Sequence, residues 1–147
     1  MLSNLKHRLL DIIMNKFSEK SFSICIMSSI TDFVHTNIKD GVCFHYTVPE
    51  NLCRSYIMNN NETKPQFATS AIMAIFDEIS TYSTCIQDKN HRPGVSVHLS
   101  TEIMKPIYTN EKLTVLTKAD KLGKSIGSCT MELLNSNNEL VARGKHI

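Results

Sequence analysis

The sequence predicts an α+β domain in which one antiparallel β-sheet wraps around a single buried helix. Residues 71–76 are apolar, so a helix containing them would be apolar on nearly every side, which is typical of a buried helix. The stretch at 42–48 alternates apolar and polar residues before this helix, and four β-like stretches follow it. One sheet around one apolar helix accommodates both patterns.

Size and composition fit one ordinary globular domain. The 147 residues are enough for a core without metals or disulfides, and 41% of them are apolar. The net charge of +2 is too small to indicate nucleic-acid binding through a clustered basic face. The 5 cysteines form no CxxC pair, which favours free thiols in a reducing compartment over disulfides or a zinc site. No apolar run approaches the ~20 residues of a membrane helix.

The N-terminal segment has a helical pattern of its own. Leucines, isoleucines and Phe17 recur at helical spacing over residues 2–17, with lysine and arginine between them. We therefore predict a helix over residues 1–20 ahead of a single domain at 21–147. A mitochondrial presequence has a similar pattern but is poor in acids, and this segment contains Asp11 and Glu19. We expect a cytoplasmic protein, with the mitochondrion as the alternative.

The order of elements follows from turn residues and alternation. Residues 20–36 contain β-formers without helical spacing, and Asp40-Gly41 predicts a hairpin whose second arm stops at Pro49. Pro65 argues against a helix through the polar loop at 58–66. The main helix is predicted from Thr69 to Ile86. The strands predicted after it run over 95–104, 112–118, 125–134 and 139–145, with a hairpin turn at 135–138.

An acid follows the apolar run of the main helix directly. Asp77 falls on a stripe of small or polar residues along an otherwise apolar helix. The stripe consists of Ser70, Ala74, Asp77, Thr81 and Thr84. A carboxylate beside a groove can orient or deprotonate a water molecule while it stays ionised. The alternative is a structural acid that faces solvent or caps a neighbouring backbone.

The start of the same helix offers a second functional feature. Thr69 and Ser70 are candidate caps, and the first N–H groups of a helix lack partners inside it. These donors and the helix dipole suit a developing negative oxygen, such as that of a thioester carbonyl under attack. Asp77 comes about two turns later. A bound substrate or a second subunit would therefore have to connect the two features.

Five segments resemble one known family in order and spacing. Residues 67–81, Phe-Ala-Thr-Ser-Ala-Ile-Met-Ala-Ile-Phe-Asp-Glu-Ile-Ser-Thr, resemble the central-helix signature of PaaI-type hotdog thioesterases, in which Leu-His-Gly-Gly precedes a small apolar stretch, Asp and Ser-Thr. The other four segments are 93–100, 104–106, 121–125 and 140–146. The resemblance covers residues 40–147 and is closest to the acyl-coenzyme A thioesterase 13 branch. It implies a hotdog fold and hydrolysis of fatty acyl-CoA, with medium to long chains expected. It also implies a role in fatty acid metabolism and assembly as a homodimer or homotetramer.

The resemblance also implies site residues. Asp77 takes the place of the catalytic carboxylate, Ser96 that of the serine that helps to position water and contacts coenzyme A, and Asn61 that of a loop asparagine. Thr69 and Ser70 replace the oxyanion glycines. The two stretches implied to hold coenzyme A are Ile103, Met104, Lys105, Pro106, Ile107 and Tyr108, and Lys121, Leu122, Gly123, Lys124, Ser125 and Ile126. We expect no metal and no separate cofactor, because coenzyme A is part of the substrate. His146 matches a family position, with an exposed strand-end histidine as the alternative.

One departure from the family pattern bears on activity. The family His-Gly-Gly reads Ala68-Thr69-Ser70 here, so the imidazole is absent and a β-branched side chain stands where glycine allows close approach. Thr69 retains its N–H. Thioester hydrolysis is the leading hypothesis, and an acyl-CoA-binding hotdog protein with weak or no turnover is the alternative. A hotdog dehydratase is disfavoured because Ala68 removes its histidine, and a purely structural protein has no need of Asp77.

Overall fold

The computed structural model describes residues 22–34, 41–58, 61–90, 92 and 94–147. The helix predicted over residues 1–20 lies outside the described residues, as does most of the turn predicted at 39–41. The division into an N-terminal helix and a domain at 21–147 therefore stays a prediction.

The described residues form two helices, a 3₁₀ turn and ten strands. The helices are α1 (Phe22–Met27) and α2 (Thr69–Gln87), and the 3₁₀ turn is Glu50–Leu52. The strands are β1 (Ile30–Val34), β2 (Gly41–Thr47), β3 (Cys53–Arg54), β4 (Ile57–Met58), β5 (Asn61–Glu62), β6 (Gln66–Phe67), β7 (Leu99–Ile103), β8 (Lys112–Leu122), β9 (Gly127–Leu134) and β10 (Leu140–His146).

The architecture is the predicted antiparallel sheet with a long helix against it. Six strands pair in the order β1-β2-β8-β9-β10-β7, and α2 packs against β7, β8, β9 and β10. Ile75, Phe76 and Ile79 of the helix are buried against the sheet residues Phe44 and Leu133. Burial of such side chains stabilises the fold by about 1.5–3 kcal/mol each.

The prediction that α2 is buried on every side is wrong for one face. Met73 is 40% exposed, and both Thr69 and Ser70 are exposed. The reason is geometric, because a single sheet can cover only one side of a helix. The uncovered face contains part of the small and polar stripe that includes Asp77.

Gly144 brings α2 close to the sheet. A Cβ atom at this position of β10 would lie 2.9 Å from the Ser100 carbonyl oxygen and 3.2 Å from the Phe76 ring. The first separation is too short for a carbon atom and the second is tight, so a side chain at this position would displace the neighbouring strand or the Phe76 ring. The close packing at Phe76 brings Asp77, the next residue of α2, near the end of β10.

Several predicted boundaries are wrong. Residues 22–27 form a helix although they were predicted to be extended, and Val95–His98 are not a strand although their alternation predicted one. In that segment Val95 is 89% exposed and Val97 is 76% exposed, so neither side chain provides the burial that the alternation predicted. Strand β8 continues four residues further than predicted, to Leu122. Strand β9 begins two residues later than predicted, at Gly127.

The polar loop and the last hairpin turn agree with their turn residues. The described residues of 58–66 contain no helix. Met58, Asn61, Glu62 and Gln66 belong to the short strands β4, β5 and β6, and residues 63–65 are irregular. The Asn135 side-chain oxygen accepts hydrogen bonds from the backbone N–H groups of Asn137 and Glu139. Asn138 adopts a φ of 59°, which asparagine tolerates better than most residues. The predicted turn at 135–138 is confirmed.

The five cysteines are free thiols. Among the described residues, no helix has the length and apolar character that spanning a membrane requires.

Candidate active site

Asp77 lies where α2 meets the end of β10 and the segment before β7. Its side chain is 45% exposed, and its Oδ1 accepts a hydrogen bond of 2.5 Å from Ser96 Oγ. The same oxygen lies 3.5 Å from Nε2 of His146. The structure therefore places the two sequence-predicted residues Asp77 and Ser96 in direct contact, with a histidine beside them.

Ser96 reaches Asp77 because Ile147, the residue after β10, holds its segment in place. The backbone N–H groups of Val97 and His98 both donate to the carbonyl oxygen of Ile147, at 2.7 and 3.0 Å. In return, the Ile147 N–H donates to the His98 carbonyl at 2.8 Å. The reciprocal bonds between His98 and Ile147 continue the register of β7 against β10, in which Leu99 lies opposite His146. The residues before Val97 make no described backbone bond to β10, so the pairing is shorter than the alternation predicted.

His146 is the site residue whose environment the sequence left open. Its side chain is only 11% exposed, so the alternative of an exposed strand-end histidine is wrong. Nδ1 lies 2.5 Å from Oγ of the buried Ser80, and the Ser80 hydroxyl donates to the Phe76 carbonyl oxygen. Which atom of the Ser80–His146 pair donates depends on the tautomer of the imidazole.

The second ring nitrogen of His146 is closed to water. Its Nε2 is buried and has no hydrogen-bond partner, although Oδ1 of Asp77 lies 3.5 Å away. Burial lowers the pKa of His146, and the nearby Asp77 carboxylate raises it by less. The imidazole is therefore mostly neutral at pH 7.

A cavity of about 320 Å³ opens beside this cluster. Its lining includes the apolar residues Val95, Val97 and Ile126 together with His146. Cys129 also lines it, but burial raises the pKa of this thiol to about 12, so it is not a thiolate nucleophile at neutral pH.

The start of α2 lies apart from Asp77 within one chain. The N-cap residue is Ala68, which provides no side-chain cap, so the prediction that Thr69 and Ser70 cap the helix is wrong. Thr69 precedes Asp77 by eight residues, or about 12 Å along the axis. A separate cavity of about 220 Å³, partly lined by Ser70 and Leu52, adjoins this end of the helix.

Asn61 lies in a different substructure. It is an exposed residue of β5, opposite Met58 in the β4–β5 hairpin, which is separate from the main sheet. Among the described residues, no group of three histidine, cysteine, aspartate or glutamate side chains is arranged to hold a metal ion.

The two stretches implied to hold coenzyme A lie at opposite ends of the sheet. Residues 103–108 begin where Ile103 pairs with Ala142 on β10. Residues 121–126 join β8 to β9 at the other end, beyond His146. Four residues of an extended strand separate Ala142 from His146, so the two ends are at least about 13 Å apart. The start of α2 belongs to the first end, because the Phe67 N–H donates to the Ile107 carbonyl at 2.8 Å.

The side chains in these stretches differ in their present contacts. Lys105 forms an ion pair of 2.7 Å with Glu139 across half-exposed surface. The Lys64 ammonium lies 4.5 Å from the centre of the Tyr108 ring. Lys121 and Lys124 are exposed at the β8–β9 turn.

Known proteins resemble this chain in structure. No protein-family model matches the sequence, and no curated protein matches it. Thioesterase superfamily member 2 from zebra fish has a TM-score of 0.71 at 20% identity, over 92% of this chain and 90% of its own. The PaaI protein of the phenylacetic acid degradation operon of E. coli has a TM-score of 0.67 at 13% identity, over 98% and 96%. A hypothetical thioesterase protein from Streptococcus pneumoniae TIGR4, solved with coenzyme A, has a TM-score of 0.63 at 14% identity, over 88% and 93%.

The chain has the hotdog fold of thioesterase superfamily proteins. The predicted fold class is thereby confirmed. At these identities the likeness covers the fold, and the chemistry depends on the site residues described above.

Proposed function

We propose that this hotdog protein is an acyl-CoA thioesterase that hydrolyses medium- to long-chain fatty acyl-CoA to the free acid and coenzyme A. The observation that carries the proposal is the contact of Asp77 with Ser96 and His146 beside a cavity that His146 lines together with Val95, Val97 and Ile126. A half-exposed carboxylate that a hydroxyl holds in place can accept the proton of one water molecule.

In the proposed reaction, Asp77 is the general base. A water molecule on the open side of the Asp77 carboxylate donates one hydrogen bond to it, and the Ser96 hydroxyl holds that carboxylate in place. The water oxygen attacks the thioester carbonyl carbon as its proton passes to Asp77. The tetrahedral intermediate then collapses with cleavage of the C–S bond, and the leaving thiolate of coenzyme A takes up the proton that Asp77 had accepted.

The negative oxygen of this intermediate needs a donor. The first N–H groups of α2 suit it, and the Thr69 N–H is the donor that we assign. A distance of about 12 Å along the helix separates this N–H from Asp77 of the same chain. We therefore propose that a second copy supplies the donor, in a homodimer that pairs again into a homotetramer.

The sheet topology supports this assembly. Strand β7 is an edge strand, bonded only to β10 in the described sheet. Antiparallel pairing of β7 with its copy brings the Ile103 end of one chain against the Leu99 end of the other. The two stretches implied to hold coenzyme A, which are far apart in one chain, would then approach each other across the dimer. Light scattering should find a dimer or tetramer, and a stable monomer at micromolar concentration contradicts the assembly.

The proposed ligand rests on two arguments. One solved hotdog relative contains coenzyme A, and this chain places exposed Lys121 and Lys124 at a turn near its own Asp77 site. Ammonium groups attract the phosphates of coenzyme A, so we expect binding to weaken as salt is added. Coenzyme A should raise the melting temperature by linkage. No shift at millimolar coenzyme A contradicts the ligand assignment.

A turnover screen tests the reaction. We expect the wild-type protein to hydrolyse a series of saturated acyl-CoA esters, with the highest kcat/KM at medium or long chains. Free thiol released per unit time is the measurement. Absence of turnover at every chain length contradicts the enzymatic proposal.

Thr69→Pro tests the oxyanion donor. Proline fits the first position of a helix, and Ala68 before it already has φ −64° and ψ 134°, which suits a residue that precedes proline. The change removes one N–H with little effect on the helix. Loss of a single oxyanion donor should lower kcat by a factor on the order of 10² to 10³. The control is Thr69→Ala, which keeps the N–H and should retain activity.

The residues at positions 69 and 70 also favour a second function. Thr69 and Ser70 stand where the family has two glycines, so a branched side chain can crowd the thioester and reduce turnover. An acyl-CoA-binding protein without useful turnover would then bind coenzyme A esters and release no thiol. Thr69→Gly distinguishes this case, because it should increase turnover if crowding limits the reaction.

A further inference from the structure

Arg92 forms a network of hydrogen bonds with the residue that ends α2. Its Nη2 lies 2.8 Å from Oδ1 of Asp88, and its Nε and backbone N lie 2.9 Å from Oδ2. The planar guanidinium therefore meets the carboxylate in the two-pronged geometry that fixes its orientation. The Asp88 side chain is 11% exposed.

The same guanidinium also reaches the β8–β9 turn. Nη1 donates to the Lys124 carbonyl oxygen at 2.7 Å, and Nη2 donates to the Gly123 carbonyl oxygen at 3.1 Å. Arg92 therefore connects the end of the central helix to a turn about thirty residues later in the chain. Four of its five side-chain N–H groups are used by these contacts, which leaves little capacity to bind a ligand.

The turn has a second constraint of its own. The Gly123 N–H donates to the Ile126 carbonyl at 2.9 Å, and a Cβ on Gly123 would lie 2.7 Å from that same oxygen. The peptide bonds are trans, so each carbonyl points away from the N–H that follows it. The carbonyls that face Arg92 therefore turn the N–H groups of Lys124 and Ser125 to the opposite side.

This orientation creates a surface suited to an anion. Two consecutive N–H groups point away from Arg92. Lys124 is exposed on the turn, and Lys121 is exposed at the end of β8 just before it. Successive backbone N–H groups in a turn form a concavity that attracts anions. The arrangement depends on Arg92, because its two bonds to carbonyl oxygens set the direction of both peptide groups.

We infer that the Asp88–Arg92 pair is a positioning device that holds the β8–β9 turn, residues 122–127, in the conformation that binds the phosphate groups of coenzyme A. We call the Asp88–Arg92 pair, with its bonds to the turn, the clamp. The identity of the ligand rests on the proposed function, and the clamp rests on the contacts of Arg92. Arg92 acts through the turn and does not touch the substrate.

Arg92→Gln tests the clamp against a thioester with and without phosphates. One substrate is the acyl-CoA that gives the best turnover, and the other is the same acyl group on pantetheine, which lacks the nucleotide and all phosphates. We expect the KM for acyl-CoA to rise on the order of tenfold with little change in kcat, because a misplaced turn weakens binding remote from the reacting atoms. The KM for acyl-pantetheine should stay unchanged. Arg92→Lys keeps the charge but loses the two-pronged hydrogen bonding, and it should give a smaller rise in the KM for acyl-CoA.

A matched arginine provides the control. Arg143 pairs with Glu102 at 2.7 Å on the outer face of β10 and β7 and makes no described contact with the turn. Arg143→Gln should leave both KM values unchanged. If Arg92→Gln does not fold, Asp88→Asn serves instead, since it keeps Arg92 but removes the charge that orients it. Hydrogen exchange of the Gly123 amide, which is bonded to the Ile126 carbonyl, should be faster in either clamp variant.

The outcomes separate the clamp from the proposed function. If the wild type hydrolyses acyl-CoA and Arg92→Gln leaves its KM unchanged, or raises both KM values equally, the clamp is wrong and the function stands. If the wild type hydrolyses nothing, the function fails, and calorimetric titration with coenzyme A decides the clamp. A tenfold loss of affinity in Arg92→Gln supports it, and equal affinity overturns it. A wild type without turnover and without affinity for coenzyme A overturns both.

Discussion

Two aspartates of the same helix have opposite surroundings. Asp88, the C-cap of α2, receives three hydrogen bonds from Arg92, which hold the pKa of its carboxyl far below the ordinary range. Asp77 is paired with a hydroxyl and with a histidine that is neutral at pH 7, and almost half of its side chain reaches solvent. A carboxylate whose oxygens accept several hydrogen bonds from a cation is a weak base and makes a strong structural contact. A carboxylate with neutral partners and an open side retains lone pairs for chemistry.

Asp77→Asn gives the largest effect that this comparison predicts. Asparagine keeps the size and the hydrogen bond from Ser96 but cannot accept the proton of water. Turnover should fall by a factor on the order of 10² to 10⁴, the usual contribution of a general base. The melting temperature and the affinity for a non-hydrolysable acyl-CoA should change little, because the lost interaction belongs to the transition state. Kinetics and thermal denaturation measure the two effects separately.

Glu78→Gln is the matched control for this variant. Glu78 is the neighbouring acid, and its side chain leaves the helix about 100° away from that of Asp77. Full activity in Glu78→Gln and loss in Asp77→Asn assign the chemistry to one residue. Wild-type activity in both variants means that Asp77 is structural and the mechanism is wrong.

Asp88→Asn should lower stability and leave catalysis unchanged, which is the opposite of the pattern expected for Asp77→Asn. The folded-state pKa of Asp88 lies below its ordinary value of 3.8. The contribution of the ionised carboxylate to stability is therefore present above about pH 4 and is lost as the pH falls through the folded pKa. The melting temperature of Asp88→Asn should lie below that of the wild type at pH 7, and the gap should narrow below pH 4. The kcat on acyl-pantetheine should not change. A constant gap across this range contradicts the assignment.

His146→Gln should produce the smallest effect on stability. Burial lowers the folded pKa of His146 below its ordinary value of 6.5, so the unfolded chain takes up a proton first as the pH falls. Wild-type stability should therefore decrease from about pH 6.5 down to the folded pKa, and His146→Gln should flatten this part of the curve. His98→Gln, a change at an exposed histidine, should leave the curve intact. Melting temperatures between pH 4 and 8 provide the measurement.

The sequence predicts those parts of the fold that depend on local patterns. The apolar run at 71–76 and the asparagines at 135–138 have their predicted structures because periodicity and turn chemistry act over a few residues. Val95–His98 alternates like a strand, but its backbone is bonded to Ile147, a distant residue that the alternation does not reveal. Local sequence therefore predicted the elements better than their ends.

The same distinction applies to the site. Asp77 could be singled out because an acid directly after an apolar run is unusual on a buried helix. The burial of His146 could not be predicted, because it depends on Ser80, which is 66 residues away in the chain. The clamp by Arg92 was missed for the same reason. Only the resemblance of the last strand to a family pattern drew attention to His146.

The separation of the two implied coenzyme A stretches has a consequence for mixtures of variants. In the proposed dimer, each site takes Asp77 from one chain and the Thr69 N–H from the other. A chain with Asp77→Asn and a chain with Thr69→Pro are each inactive with themselves, but together they form heterodimers in which one site has both defects and the other has none. Random exchange of subunits between the two inactive preparations should therefore restore about a quarter of the wild-type activity. The proposed dimer therefore predicts genetic complementation between two defective copies of a single gene.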